Sequence, residues 1–171
     1  MENGEATRRI AVFIDTPNML IPARKLGYKD DYLFRKFFDL IKQYGKISEG
    51  YAYGDFERLN IYFAVQYFLI SQSIKLVHCP GNFNGKCKLD DPMLVEGIHG
   101  ALRRDADYLY ILVSSDIMLM PVGMTLRNLN KNFKIFGFAQ NASDSLKEFP
   151  EFIDLGCFLV TEGNHSSGEQ K

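Results

Sequence analysis

Arg9-Ile10-Ala11-Val12-Phe13-Ile14-Asp15 is the stretch that decides the fold. From Ile10 to Ile14 every side chain is apolar, and the run stops on a carboxylate. A strand that is apolar on both faces belongs inside a parallel sheet with cover on each side; a strand with one wet face would alternate instead. Similar short apolar runs recur downstream at Ile47–Tyr53, Ile74–His78, Tyr108–Val113 and Phe133–Phe138. Between them lie segments with helical spacing. Asp31 to Tyr44 places Leu33, Phe34, Phe37, Phe38, Leu40 and Ile41 on one face; Leu59–Ser71 and Met118–Asn130 read as helices too. Asp91-Pro92 reads as a helix cap followed by proline in the first turn, opening a helix that buries Leu94, Ile98, Ala101 and Leu102. Ser143–Phe149 is a last short helix before Phe152–Leu155.

Strands alternating with helices predict a single-domain α/β fold, a three-layer sandwich around a central, mainly parallel sheet of five strands. The expected bounds are a flexible N-terminus over 1–8, the domain over 9–158 and a disordered polar tail over 159–171. The 171 residues fit one domain, and at this size about 70% of the chain's surface can be buried without staples. The 46% apolar content excludes a disordered chain. The formal charge of −1 means that any nucleic-acid contact must come from a local basic patch. Cys79, Cys87 and Cys157 have no regular spacing and read as reduced thiols, which points to the cytoplasm. Imagined as a zinc site, His78, Cys79, Cys87 and His99 lack the usual close cysteine spacing. Met1 to Arg9 is polar, so no secretory signal is expected, and no run approaches the ~18 apolar residues of a membrane helix.

In an open parallel sheet, ligands bind beyond the carboxyl ends of the strands. Asp15 ends the first strand, Asp55 follows the second, Asp116 follows the fourth, and Asp90 and Asp91 start a helix. Helix starts lie at the same edge as strand ends, so separate segments deliver carboxylates to one place. Clustered carboxylates suit Mg²⁺ or Mn²⁺, which prefer oxygen ligands. Each acid alone has a structural reading as a cap of a turn or helix; it is their convergence that favours a site. A nucleotide cofactor is not expected, because neither a GxxxxGK[ST] loop nor a GxGxxG turn is present.

Three motifs in this order resemble the NYN domain family of the PIN-like nuclease superfamily. Ile14-Asp15-Thr16-Pro17-Asn18 is similar to its opening I-D-x-x-N, and Lys88-Leu89-Asp90-Asp91 to its K-x-x-D helix start. Leu112-Val113-Ser114-Ser115-Asp116 is similar to the first half of its L-V-S-x-D-x-D-F. Weaker echoes are Tyr53-Gly54-Asp55 and the segment from Ser145-Leu146 to Leu155, so the resemblance spans residues 9–155.

The resemblance implies a PIN-like fold and a metal-dependent ribonuclease that uses Mg²⁺ or Mn²⁺. It implies Asp15, Asp116 and one of Asp90 or Asp91 as metal ligands, with Asn18 positioning substrate or a metal-bound water. Lys86, Lys88 and Ser114 are then candidates for contacting RNA. Two departures stand out. Where the family usually has a second acid after the third-motif Asp, this chain has Met118, which reads either as a core residue packed beside Leu119 and Met120 or as the loss of one metal ligand. Many members also carry an acid six residues after the helix-start Asp; counted from Asp91 this is Gly97, and counted from Asp90 it is Glu96, a further candidate metal ligand, although it faces away from the Leu94/Ile98/Ala101 stripe, which favours solvent. The alternative function is a weakened or inactive NYN-fold module that binds RNA or protein. Tyr62, Phe63, Tyr67 and Phe68 fall in one helix and offer an apolar face for a homodimer. No membrane partner is expected.

Overall fold

The computed structural model describes the backbone of residues 8–80, 90–103 and 107–163, and their side chains except at 90–92 and 160–163. Six strands form one sheet: β1 (Arg9–Asp15), β2 (Lys46–Gly54), β3 (Lys75–His78), β4 (Tyr108–Val113), β5 (Asn132–Gly137) and β6 (Phe152–Asp154). Their order is β3-β2-β1-β4-β5-β6, and every neighbouring pair is parallel. The expected five strands become six. The added β6 has only three half-buried residues on the sheet edge, too short to leave an apolar run in the sequence.

β1 lies between β2 and β4, which is why its run is apolar on both faces. Ile10, Val12 and Ile14 enter one core layer, and Ala11 and Phe13 the other. The first layer holds α1 (Thr16–Lys25), α2 (Asp30–Lys42), α3 (Phe63–Ser71) and α7 (Leu155–Gly163). The second holds α4 (Asp90–Arg103), α5 (Leu119–Asn128) and α6 (Asp144–Lys147). No described helix is long and apolar enough to cross a membrane.

Several element bounds differ from the sequence reading for local reasons. α1 has no helical signature in the sequence, since Thr16–Lys25 contains Pro17 and Pro22. Pro17 falls in the first turn, where a missing N–H costs nothing, and buried Met19, Leu20 and Ala23 hold the rest. α3 starts at Phe63 rather than Leu59, because Asn60 adopts φ 50° and breaks the helix. α4 starts at Asp90, so Asp91 stands inside the first turn rather than at a cap before it. The expected tail from 159 overlaps α7, which runs to Gly163, and residues 164–171 lie outside the described residues.

One glycine sets how closely α4 approaches the sheet. A Cβ on Gly97 would collide with the hydroxyl of Tyr53, a side chain only 3% exposed. Gly97→Ala should therefore push α4 away from β1 and β2 and cost about 1–3 kcal/mol, as overpacking does. Urea unfolding would check this; an unchanged midpoint would mean that Tyr53 swings aside.

Candidate active site

The strand order reverses between β1 and β4. The chain leaves β1 into α1 on one layer and leaves β4 towards α5 on the other. Adjacent strands that feed opposite layers open a crevice at their carboxyl ends, which is where α/β sheets bind ligands. Asp15 and the Ser114–Asp116 loop stand on the two sides of it.

Asp15 closes β1 and caps α1. Its residue is 0% exposed. One carboxylate oxygen, Oδ1, accepts from the Asn18 backbone N–H at 3.2 Å. Oδ2 accepts from the Asn18 side-chain amide at 2.6 Å and from the Ser114 hydroxyl at 2.7 Å. Ser114 Oγ in turn accepts from the Asp116 N–H at 3.1 Å, and Asp116 Oδ1 accepts from the Met118 N–H at 2.9 Å. Asn18, Asp15, Ser114 and Asp116 thus form one connected polar chain. Behind it, the Ser115 hydroxyl accepts from Phe138 N at 2.9 Å and ties the loop to the end of β5.

α4 forms the opposite wall. A narrow cleft is lined by Asp15, Ser114, Asp116, Met118, Leu119 and, from α4, Leu94 and Val95. Met118 does not pack in the core. It is 47% exposed at the mouth of the cleft, while Leu119 beside it is buried. It is the N-cap residue just before α5 and makes no side-chain cap bond.

The sequence candidates therefore divide. Asp15, Asn18, Ser114 and Asp116 come together. Ser114 is 2% exposed and spends its hydroxyl on the two acids' segments, so it positions them rather than reaching outward. Asp90 and Asp91 occupy the first turn of α4, with side chains outside the described residues. Lys86 and Lys88 lie outside the described residues altogether. Glu96 is exposed and is not among the cleft residues; its charge acts on Tyr53 instead. Burial first, then the charges of Tyr51, Cys79, Glu49 and Glu96, raise the Tyr53 hydroxyl far above the usual phenol range, so it stays protonated.

Two other edge acids serve the backbone. Asp55 Oδ1 accepts from Arg58 N at 3.1 Å in the turn after β2. Asp154 Oδ1 accepts from Ala139 N at 3.1 Å and Gly156 N at 2.9 Å, capping α7 and tying it to β5. Among the described residues, no three His, Cys, Asp or Glu side chains meet as a complete metal-binding group.

The profile of the NYN domain family matches residues 9–156. The chain belongs to the NYN domain family. No curated protein matches it. Among solved structures, it is similar to a protein of unknown function from Vibrio parahaemolyticus, with 20% identity and a TM-score of 0.67. That match covers 88% of this chain and 94% of the other, and at this identity it supports the fold alone. The PIN-like outline expected from the motifs is thus the observed fold of this NYN domain.

Proposed function

We propose that this NYN domain is a metal-dependent ribonuclease. The burial of Asp15 carries the reading. Capping α1 needs one neutral acceptor, and Ser or Thr would serve without taking a charge out of water. A fully buried carboxylate held by Asn18 and Ser114 exceeds what the cap demands, and it sits in the crevice where the fold binds ligands.

The donors fit a hard divalent ion. Asp15 and Asp116 supply carboxylate oxygens, and Asn18 supplies an amide, the chemistry that Mg²⁺ and Mn²⁺ prefer. A third acid would complete the set. Asp91 stands three and four residues before Leu94 and Val95, both cleft-lining, so the first turn of α4 is the place for it. Asp90 is the alternative in that turn; Glu96 is not proposed, since it lies outside the cleft. An ion held there would supply charge neutralisation at the phosphodiester and an activated water. Asn18 would orient the substrate, and Ser114 would keep the two acids in register. Lys86 and Lys88 would contact the RNA backbone. The three irregularly spaced cysteines support a cytoplasmic setting for this reading.

Calorimetric titration with Mn²⁺, on the wild type and Asp116→Asn together, tests the proposal. The wild type should bind, and the variant should bind at least about tenfold more weakly, the lower end for disturbing even an outer partner of a metal. Asn keeps an acceptor for the Met118 N–H, so the fold should persist. No binding to the wild type would sink the metal site. RNA binding without cleavage would then favour a non-catalytic module, a second reading that rests on Met118 standing where the family usually has an acid.

A further inference from the structure

The amino ends of the strands form the edge opposite the crevice, and cations gather there. Arg8 and Arg9 lead into β1, and Lys46 opens β2. Lys46 pairs with Arg9 in the β1–β2 register, and its N–H donates to the Arg8 carbonyl at 2.8 Å. Lys42 ends α2, and its carbonyl accepts from the Gly45 N–H at 3.3 Å. Lys134 reaches from β5, with its ammonium 4.8 Å from the centre of the Tyr44 ring. Arg8, Arg9, Lys42 and Lys46 are exposed. None of these five cations makes an ion pair among the described residues.

Dipoles account for little of this. The negative end of α2 suits Lys42. Arg8, Arg9 and Lys46 stand at strand starts, and a sheet has only a small net dipole. Unpaired cations held this close repel one another, which is a cost to the fold. The nearby acids are fewer. Asp39 lies one turn back on α2, Asp107 adjoins Tyr108, and Glu49 accepts from the Tyr51 hydroxyl at 2.9 Å. The whole chain has 20 cations and 21 acids, so the surplus at this edge is a local concentration.

We propose that this edge binds the phosphate backbone of single-stranded RNA, as a second contact surface apart from the crevice. The choice of RNA among polyanions rests on the ribonuclease reading. The make-up of the patch selects a phosphate backbone over a protein. A protein interface centres on aromatic or apolar anchors open to the partner. The aromatics here, Tyr44 and Tyr108, are half-buried, with Lys134 over one ring and Arg9 over the other at 5.2 Å. What remains open is charge: two guanidiniums with forked donors and a set of ammoniums, the groups that hold phosphate oxygens. Packing on the rings already orders Arg9 and Lys134, so less freedom is lost when they bind.

Position adds a consequence. From Arg9 to Asp15 the strand β1 rises roughly 20 Å, at about 3.3 Å per residue. RNA that occupies both the crevice and this edge runs along the flank of the domain. Long RNA therefore gains from the patch, and a dinucleotide does not.

Fluorescence anisotropy with a labelled oligouridine of ~16 nucleotides, in EDTA and over a salt series, tests this without cleavage. The wild type should bind, with log affinity falling linearly with log salt. Arg8→Gln, Arg9→Gln and Lys46→Gln together should weaken binding at least about tenfold and flatten the slope by about 2, since each phosphate contact on a single strand contributes about 0.7. All three side chains are exposed, so the melting temperature should hold. Lys147→Gln removes a charge that already pairs with Asp144 at 2.7 Å, and should leave the slope as it is. No binding by the wild type, a slope indifferent to the triple variant, or a slope that falls as much per charge in Lys147→Gln would overturn the proposal. So would an edge that takes poly-glutamate as tightly as oligouridine. Cleavage in Mn²⁺ separates this proposal from the reading of the crevice. The triple variant should raise KM for long RNA and spare kcat, because the binding lost is common to ground state and transition state. RNA held at the edge but never cleaved would sink the ribonuclease and keep the edge; cleavage with the KM of the wild type would do the reverse.

Discussion

Asp15→Asn should leave a folded protein that has lost RNA cleavage. The substitution keeps the shape of the side chain and removes one charge and one acceptor. The carboxamide retains an oxygen for the Asn18 N–H, so the cap on α1 survives. Its new NH₂ group would face the Asn18 amide and the Ser114 hydroxyl, both of which donate to the wild-type carboxylate. Asn18 can flip its amide and Ser114 can rotate its hydroxyl to accept, so the polar chain can be rebuilt with one weaker link. The expected loss of stability is about 1–2 kcal/mol, the range for a compromised buried hydrogen bond. The effect on cleavage should be far larger. Changing only the outer partners of a metal ligand costs about 10–100-fold, so removing a ligand's charge should exceed about a hundredfold. Cleavage of a labelled RNA in Mn²⁺, read beside urea unfolding of the same preparation, separates the two effects. Full activity in a folded Asp15→Asn protein would remove Asp15 from the chemistry and leave it as a helix cap.

The fold is legible in the sequence where burial is two-sided. Ile10–Ile14 and Leu109–Val113 are central strands covered by helices on both faces, and that situation writes an unbroken apolar run. It is not legible where tertiary contacts overrule local preference. α1 holds two prolines and is short; it exists because Asp15 caps it and Met19, Leu20 and Ala23 find the core. β6 is three residues long, and its pairing with β5, not its composition, makes it a strand.

The acids of the site can be found in the sequence because strand ends and helix starts share an edge whatever the details. Their wiring cannot. Nothing in Leu-Val-Ser-Ser-Asp says that Ser114 turns inward to link Asp15 with Asp116, while Ser115 reaches across to Phe138; that depends on the register of β4 against β1 and β5. Met118 departs from a core position for a related reason. Periodicity marks which face of a helix is apolar, but Met118 is the cap residue before the first turn of α5, and its side chain is left 47% exposed.

That exposed position makes the reverse substitution informative. Met118→Asp should tighten Mn²⁺ binding by about tenfold or more and raise cleavage with it. Met118 lines the same cleft as Asp15 and Asp116, and it stands two residues after Asp116, where the family resemblance places a second acid. A thioether adds nothing for Mg²⁺ or Mn²⁺, whereas a third carboxylate adds a hard oxygen and a charge. The fold should tolerate the change. Met118 is 47% exposed, so little packing is lost, and it occupies the N-terminus of α5, where Asp is favoured by the helix dipole by about 0.3–1 kcal/mol. Stability therefore gives no cover for a negative result. The apparent melting temperature without metal should hold or rise slightly, and the added shift on Mn²⁺ saturation should be larger than in the wild type, because an ion that binds only the folded chain stabilises it. If the variant is stable and its Mn²⁺ affinity is unchanged, the ion does not sit between Asp15, Asp116 and position 118. The carboxylates of the crevice would then serve the local fold, as the turn and cap bonds of Asp55 and Asp154 do.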